Sequence, residues 1–182
     1  MTDDQKDRGG DESALSPALI ATLITIPVMV IVGFIVFAAL KHDAAPSATP
    51  VESYRSTAQG AENCAPFIAA LPESFGDYAH KTVTGDMVKW TSGSDANADP
   101  LVLNCGVSRP DDLAPTSALQ VIDPVQWFIT DTIDGRGQAY VVVDRRPYVA
   151  VWVPANAGNG PLTDISGVIA QKLPSAPLDF GN

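Results

Sequence analysis

The 182-residue sequence contains only two cysteines and two histidines, which leaves few residues for metal binding or covalent catalysis. Cys64 and Cys105 lie far apart, so there is neither a CxxC redox motif nor the paired cysteines of a zinc ribbon. There is no G-x-S-x-G motif, and "DTIDGRG" lacks the lysine and the helix that a phosphate loop needs. "SDANADP" begins like a calcium loop, but Pro100 stands at the glycine position. The sequence therefore predicts no catalytic residues, no metal site and no cofactor.

Basic residues are also scarce. The chain has 11 Lys and Arg against 21 Asp and Glu, which gives a formal net charge of −10. Binding to nucleic acid depends on Lys and Arg that neutralise phosphates, so we expect no nucleic-acid partner. The same acidity opposes adsorption of the polar part of the chain to an anionic lipid surface.

No charged residue occurs from Ser13 to Leu40. This run exceeds the roughly 20 apolar residues that span a bilayer, so we predict a cytoplasmic tail at 1–12 and a transmembrane helix at 13–40. The acidic start and the length of the run argue against a cleaved signal peptide, although small residues near its end leave cleavage open. Small side chains along one sector form a candidate helix-packing face: Ala14, Ala18, Ala21, Thr22 and Thr25. The alternative is that Ala and Thr are simply common in such helices.

The remaining chain divides into three predicted parts. Residues 41–60 are rich in Ala, Pro, Ser and Thr and predict a flexible tether. Residues 61–174 predict one folded domain, and residues 175–182 predict a short polar tail. A single-pass protein that consists of an anchor, a tether and a small domain is the architecture expected from this order.

Periodicity predicts an α+β fold for the domain. Cys64, Phe67, Ile68 and Leu71 recur at helical spacing after Asn63, a candidate N-cap. Strand-like segments follow around residues 81–91, 100–107, 117–123 and 125–133, and a hairpin flanks residues 144–146. A final helix covers the apolar positions from 162 to 173. We expect an antiparallel sheet with helices at the start and the end of the domain covering one face.

The hairpin is apolar on both sides. Simple alternation places Val141, Val143, Val149, Val151 and Val153 on one face and the residues Tyr140, Val142, Tyr148, Ala150 and Trp152 on the other. Either both faces are covered within the domain, or the aromatic face docks a partner. Because Tyr and Trp are enriched in interface hot spots, we take Tyr140, Tyr148 and Trp152 as candidate partner-binding residues.

The cysteines help to orient the chain. Two basic residues precede the predicted span (Lys6 and Arg8) and two follow it (Lys41 and Arg55), so the positive-inside rule gives no answer. We favour a disulfide between Cys64 and Cys105; two buried thiols in a cytoplasmic domain and a Cys–His hydrolase that uses His80 remain alternatives. Because disulfides persist outside the cytoplasm, the favoured interpretation places the domain outside and the N-terminus inside.

Four motifs resemble an actinobacterial family of membrane-anchored envelope proteins known as domain of unknown function 3515. They are "CAPFIAALP", "PLVLNCGVSRP", "VQWFITD" and "DRRPYVAVWVP", within a similarity from about Asn63 to Leu173, and both cysteines match the pair found in the family. The resemblance implies an envelope protein with no assigned catalysis.

The expected function is that of a non-enzymatic accessory protein. Its extracytoplasmic domain docks on an integral membrane or envelope complex, and candidate hosts are the actinobacterial cytochrome bcc–aa3 respiratory supercomplex and cell-wall assembly machinery. Two alternatives remain: a small-ligand-binding domain with a pocket between sheet and helices, and an envelope hydrolase that uses His80 and carboxylates.

Overall fold

A computed structural model describes residues 27–36, 48–57 and 61–181. Residues 27–36 are helical, and their side chains are exposed. Among the residues described, no helix is both long enough and apolar enough to cross a bilayer. The remainder of the predicted span, with its candidate packing face of Ala14, Ala18, Ala21, Thr22 and Thr25, lies outside the described residues.

The domain is built on one antiparallel sheet of seven strands with the order β1-β2-β3-β7-β6-β5-β4. The strands are β1 (Tyr78–Thr84), β2 (Met87–Ser92), β3 (Leu101–Val107), β4 (Gln120–Ile122), β5 (Val125–Ile133), β6 (Gly137–Val142) and β7 (Tyr148–Pro154). Two α-helices flank them in the sequence, α1 (Cys64–Ala69) and α2 (Gly160–Lys172). The predicted α+β class, with an antiparallel sheet and helices at its start and end, is confirmed.

The two central strands, β3 and β7, are buried at every position. Strands covered on both faces carry continuous apolar runs rather than alternating ones. This explains why "LVLNCGV" and "YVAVWVP" lack a polar face. Two layers therefore cover the sheet, and each face has its own hydrophobic cluster.

Helices α1 and α2 cover one side of the sheet, which we call the helix face. Phe67 and Ile68 of α1 and Ile165 and Ile169 of α2 are buried there with alternate residues of the strands. Asn63 occupies the N-cap position of α1 as predicted, although its side chain makes no capping hydrogen bond. Leu71 follows the end of α1 and is also buried.

A buried hydrogen bond fixes α2 against the sheet. The Trp127 indole Nε1 donates to Ser166 Oγ at 2.9 Å, and that hydroxyl donates to the Leu162 carbonyl at 2.7 Å. Among the described residues, Ser166 is therefore the hydrogen-bond partner of the Trp127 indole, and that residue is fully buried.

Replacing Ser166 by alanine should lower the free energy of unfolding by about 1–3 kcal/mol, because it leaves the Trp127 indole N–H buried without a partner. Thr163→Ala is the matched control, since Thr163 also bonds a carbonyl one turn earlier but is exposed and receives no indole. Urea unfolding of both variants measures the difference. Equal losses would show that the indole does not depend on Ser166.

The predicted tether contains a structured segment. Residues 48–57, which we call the strap, cross the other side of the sheet, the strap face. Val51 is fully buried there, and its carbonyl accepts a hydrogen bond from the Asn104 side chain at 3.3 Å. Thr57 N–H donates to the Gly106 carbonyl, and Ser108 N–H donates to the Arg55 carbonyl, each at 2.7 Å.

The prediction of a flexible tether over 41–60 is therefore wrong for residues 48–57. A 3₁₀ helix, Pro50–Ser53, begins the strap, and Glu52 accepts the Thr49 N–H at 2.6 Å. A single buried valine and this local turn are too short to produce a periodic apolar pattern, which is why composition alone indicated a tether.

The hairpin register also corrects a prediction. Tyr140 pairs with Val151 and Val141 pairs with Ala150, so Tyr140 lies on the helix face whereas Tyr148 and Trp152 lie on the strap face. The loop between β6 and β7 sets this register, and a shift of one residue exchanges the two faces. Tyr140, Tyr148 and Trp152 are 7%, 5% and 0% exposed, so they do not form the exposed aromatic docking face of our hypothesis.

Residues 174–181, the C-terminal segment, pack beside the loop between β6 and β7. Arg146 N–H donates to the Pro174 carbonyl at 3.1 Å, and Ala176 N–H donates to the Asp144 carbonyl at 2.9 Å. Ser175 forms an isolated bridge with Arg145. The predicted polar tail thus adds to the folded domain over its described residues.

Candidate functional site

A groove with a volume of about 430 Å³ opens on the strap face, and we call it the strap groove. Strands β5 and β6 form its floor, the strap forms one wall, and the loop after β3 forms the other. Its lining residues are Ser53, Tyr54, Arg55, Ser108, Arg109, Pro110, Asp111, Asp112, Phe128, Thr130, Asp131 and Val141. Cavities of this size hold small ligands or short polymer segments.

Tyr54 joins the strap to the floor of the groove. Its hydroxyl lies 2.6 Å from Thr130 Oγ1 and donates a short hydrogen bond to the Asp131 carboxylate. Burial raises the pKa of Tyr54, and the hydrogen bond to Asp131 raises it further. The tyrosine is thus held neutral as a hydrogen-bond donor, and its hydrogen bonds tie the strap to β5 beside the groove.

The rim of the groove carries both signs of charge. Arg55 and Asp111 form an ion pair at 3.6 Å, but both side chains are more than four-fifths exposed and the pair contributes little. Arg109 Nη1 donates to the carbonyls of Pro110 at 3.0 Å and Leu113 at 3.4 Å. Phe128 is the half-buried apolar side chain of the floor, and Val141 beside it is almost fully buried. This combination suits recognition of a partly polar ligand or protein segment.

The two cysteines lie away from the groove, in the core of the helix face. Cys64 of α1 and Cys105 of β3 are joined by a disulfide with an S–S distance of 2.09 Å and Cα atoms 5.8 Å apart. This agrees with the favoured interpretation of the sequence. Both sulfurs are fully buried and covalently paired, so neither acts as a nucleophile in this state. His80 lies instead on the exposed edge strand β1.

The calcium-like segment forms a turn. Asp95 Oδ1 accepts the Asn97 N–H at 2.9 Å, and Asp99 accepts two hydrogen bonds from Arg136 at 2.7 and 2.9 Å. Within the described ranges, no group of three or more His, Cys, Asp or Glu side chains is placed to hold a metal ion.

A second cleft of about 320 Å³ lies at the start of α2. Asp77, Asp95 and Asp164 contribute to its lining, and Tyr78 donates to Asn156 Oδ1 at 2.7 Å beside them. Its other polar lining consists of Ser92 and Ser94, whose hydroxyls contact each other at 3.2 Å. Because the strap groove is the larger of the two and carries charges of both signs, we take it as the candidate site.

All four tyrosines of the chain have a raised pKa, and burial is the largest cause at each. We therefore expect the native protein to show little phenolate absorbance near 295 nm at pH 10, where free tyrosine is half ionised. Because the folded-state pKa values exceed the unfolded ones, the stabilisation is complete below about pH 10 and is lost as the pH rises further. Absorbance that follows the titration of the urea-unfolded chain would contradict this.

Residues 24–178 match the family described as "Protein of unknown function (DUF3515)". The chain belongs to this family. The DUF3515 match begins before the strap and continues into the C-terminal segment, so it includes every residue of the strap groove. No curated protein matches the chain, and no solved structure matches it.

Sequence reasoning missed the groove because its walls come from three distant parts of this DUF3515 chain. Tyr54 lay in the predicted tether, whereas Arg109 and Phe128 lay in segments interpreted only as strand and loop. An aromatic residue in a segment rich in Pro and Ser was the one available signal, because such residues are rare in flexible linkers.

Proposed function

We propose that this DUF3515 protein is a single-pass membrane protein whose disulfide-linked domain lies outside the cytoplasm and docks on a larger membrane or envelope complex. The charge-free run at 13–40 supports the anchor, and the Cys64–Cys105 disulfide supports the oxidising side of the membrane. The N-terminus is then cytoplasmic.

The strap is the observation that carries the docking proposal. Because the strap begins at residue 48, only residues 41–47 separate it from the predicted span. Seven residues extend over at most about 25 Å. A domain on so short a connection can reach only partners that lie in or close to the same membrane, which favours an integral membrane complex over a diffusing one.

The host is proposed by class. A respiratory assembly such as the cytochrome bcc–aa3 supercomplex and the cell-wall assembly machinery both present extracytoplasmic surfaces close to the bilayer. In either host the strap groove offers a concave surface with an apolar floor and a charged rim. Interfaces commonly place apolar contacts centrally and polar contacts at the edge.

Purification of the tagged full chain from detergent-solubilised membranes, with quantitative mass spectrometry, tests this function. We expect a partner complex in fixed stoichiometry that Asp112→Lys weakens, because Asp112 lines the groove. Asp86→Lys makes the same charge change at an exposed position outside the groove and should retain the partner. Recovery of the protein alone, or equal recovery by both variants, would count against docking through the groove.

The orientation has its own test. Thiol labelling of the denatured, freshly isolated protein should detect both cysteines only after reduction. Free thiols before reduction would contradict an extracytoplasmic domain.

The size of the strap groove also favours a second candidate function, the binding of a small envelope ligand. The sequence had placed such a pocket between sheet and helices, but the side chains that α1 and α2 direct to the sheet are buried in the core. A ligand would therefore bind on the strap face. Chemical-shift changes confined to Phe128, Thr130 and Tyr54 on addition of a compound would support this candidate.

A further inference from the structure

Two arginines differ from the other described cations close to the sheet. Five basic side chains form ion pairs with carboxylates: Arg55, Lys81, Lys89, Arg136 and Arg145. Arg109 and Arg146 instead donate only to main-chain carbonyls among the described residues. In a chain with a net charge of −10, two guanidinium groups that have no carboxylate partner in the described ranges require an explanation.

Both arginines lie in the neighbourhood of Tyr148. The guanidinium carbon of Arg146 lies 4.0 Å from the centroid of the Tyr148 ring. Val107 of β3 pairs with Tyr148 of β7, so the chain brings Arg109, two residues later, to the same part of the sheet. Burial raises the pKa of Tyr148, whereas the charges of Arg146 and Arg109 lower it, which agrees with this placement. Arg109 follows the end of β3 by two residues and also lines the strap groove.

Within the part of the chain that the structure describes, the Tyr148 hydroxyl has no hydrogen-bond partner, although the residue is only 5% exposed. A buried donor without a partner costs about 1–3 kcal/mol, so such groups in native proteins point to a ligand or to a structural reason. Here the unpartnered donor lies beside two cations. This arrangement matches what an oxyanion requires: one neutral hydroxyl donor and two guanidinium groups.

The C-terminal segment covers this cluster. A Cβ atom at Gly181 would lie 2.5 Å from Arg109 Nη2, so the chain there runs directly against the guanidinium. Asp179 Oδ1 accepts the Gly181 N–H at 2.9 Å, and the negative charge of Asp179 acts on Tyr148. Asp179 is the one acidic side chain in residues 174–181, the covering segment.

We infer that Arg109, Arg146 and the Tyr148 hydroxyl form a binding site for a phosphate group, with the Asp179 carboxylate as an internal competitor. Phosphate fits because guanidinium groups bind its oxygens through paired hydrogen bonds and the phenol supplies a further donor. The ligand enters where the C-terminal segment lies, so this segment must move for the site to fill. The inference is independent of docking through the strap groove.

The full chain in detergent, with inorganic phosphate as the probe at constant ionic strength, tests the site. Phosphate should raise the melting temperature relative to chloride, because a ligand that binds only the folded state stabilises it. Arg109→Gln and Arg146→Gln should each weaken phosphate binding by about tenfold or more. Lys172→Gln removes an exposed cation near the end of α2 and is the matched control, which should bind as the native protein does.

Two further variants separate binding from a structural role. Tyr148→Phe removes only the unpartnered hydroxyl, so it should weaken phosphate binding without lowering stability in chloride. Asp179→Asn removes the competing charge and should strengthen binding several-fold. No phosphate-dependent shift in the native protein, or the same shift in Arg146→Gln, would overturn the site whether or not the protein docks on a host.

The phosphate can belong to a lipid headgroup or to a free phosphate. Nanodiscs of phosphatidylglycerol and of phosphatidylcholine distinguish these sources. If the site binds the lipid headgroup, inorganic phosphate should not raise the melting temperature further in phosphatidylglycerol nanodiscs. In the same nanodiscs, Arg146→Gln should lower the stability. A site for free phosphate should show the same shift in both lipids. If neither of these two patterns is observed, the phosphate site is contradicted.

Discussion

Replacing both Cys64 and Cys105 by alanine should lower the free energy of unfolding by about 4 kcal/mol, a large part of the stability of a domain this size. The two residues are separated by 41 positions, so the cross-link removes considerable freedom from the unfolded chain. Urea unfolding of the oxidised native chain and of the double variant measures the loss.

The native chain treated with reductant is the appropriate control, because it keeps both buried sulfurs and loses only the covalent bond. It should show most of the effect of the double variant. A loss below about 1 kcal/mol in both samples would mean that the cross-link contributes little to stability, contrary to its expected effect. An effect in the alanine variant alone would indicate that packing around α1, rather than the bond, stabilises the domain.

Val51→Asp should destabilise the domain by about 3–5 kcal/mol, because it places a carboxylate without a partner under the strap. Val51 is fully buried, and the structure gives it contacts with the cluster on the strap face. Ala48→Asp introduces the same charge three residues earlier at an exposed position and should change stability by less than about 0.5 kcal/mol.

The loss caused by Val51→Asp should decrease as the pH falls, because burial raises the pKa of an introduced carboxyl and its neutral form costs less. Unfolding measured at pH 5 and pH 8 checks this sign. If both variants retained native stability at either pH, residues 48–57 would behave as the flexible tether that composition suggested.

The sequence was sufficient for those features that depend on local patterns. Phe67 and Ile68, or Ile165 and Ile169, reveal their helices because apolar residues recur every three or four positions. The β-rich runs on both sides of Asp144 likewise reveal a hairpin. Such patterns decide which element forms and which class of fold follows.

Features that depend on distant contacts were not predictable in the same way. The hairpin faces required the true register, which follows from the loop that ends in Pro147. Prediction of the strap would have required knowing that one valine is buried against a sheet formed by residues much later in the chain. The groove and the arginine cluster likewise depend on distant contacts, since only the pairing of β3 with β7 brings the segment that carries Arg109 close to Tyr148.

The strand order has a consequence for how the domain forms. Strand β3 pairs with β2 on one edge and with β7, the last strand of the chain, on the other. Because the polypeptide is synthesised from its N-terminus, β1 to β3 can pair first. One edge of β3 then stays unpaired until the strand that begins at residue 148 has been synthesised. An open apolar edge favours aggregation. Completion of the sheet is therefore a late event in synthesis, and the open edge of β3 needs protection until β7 has been made.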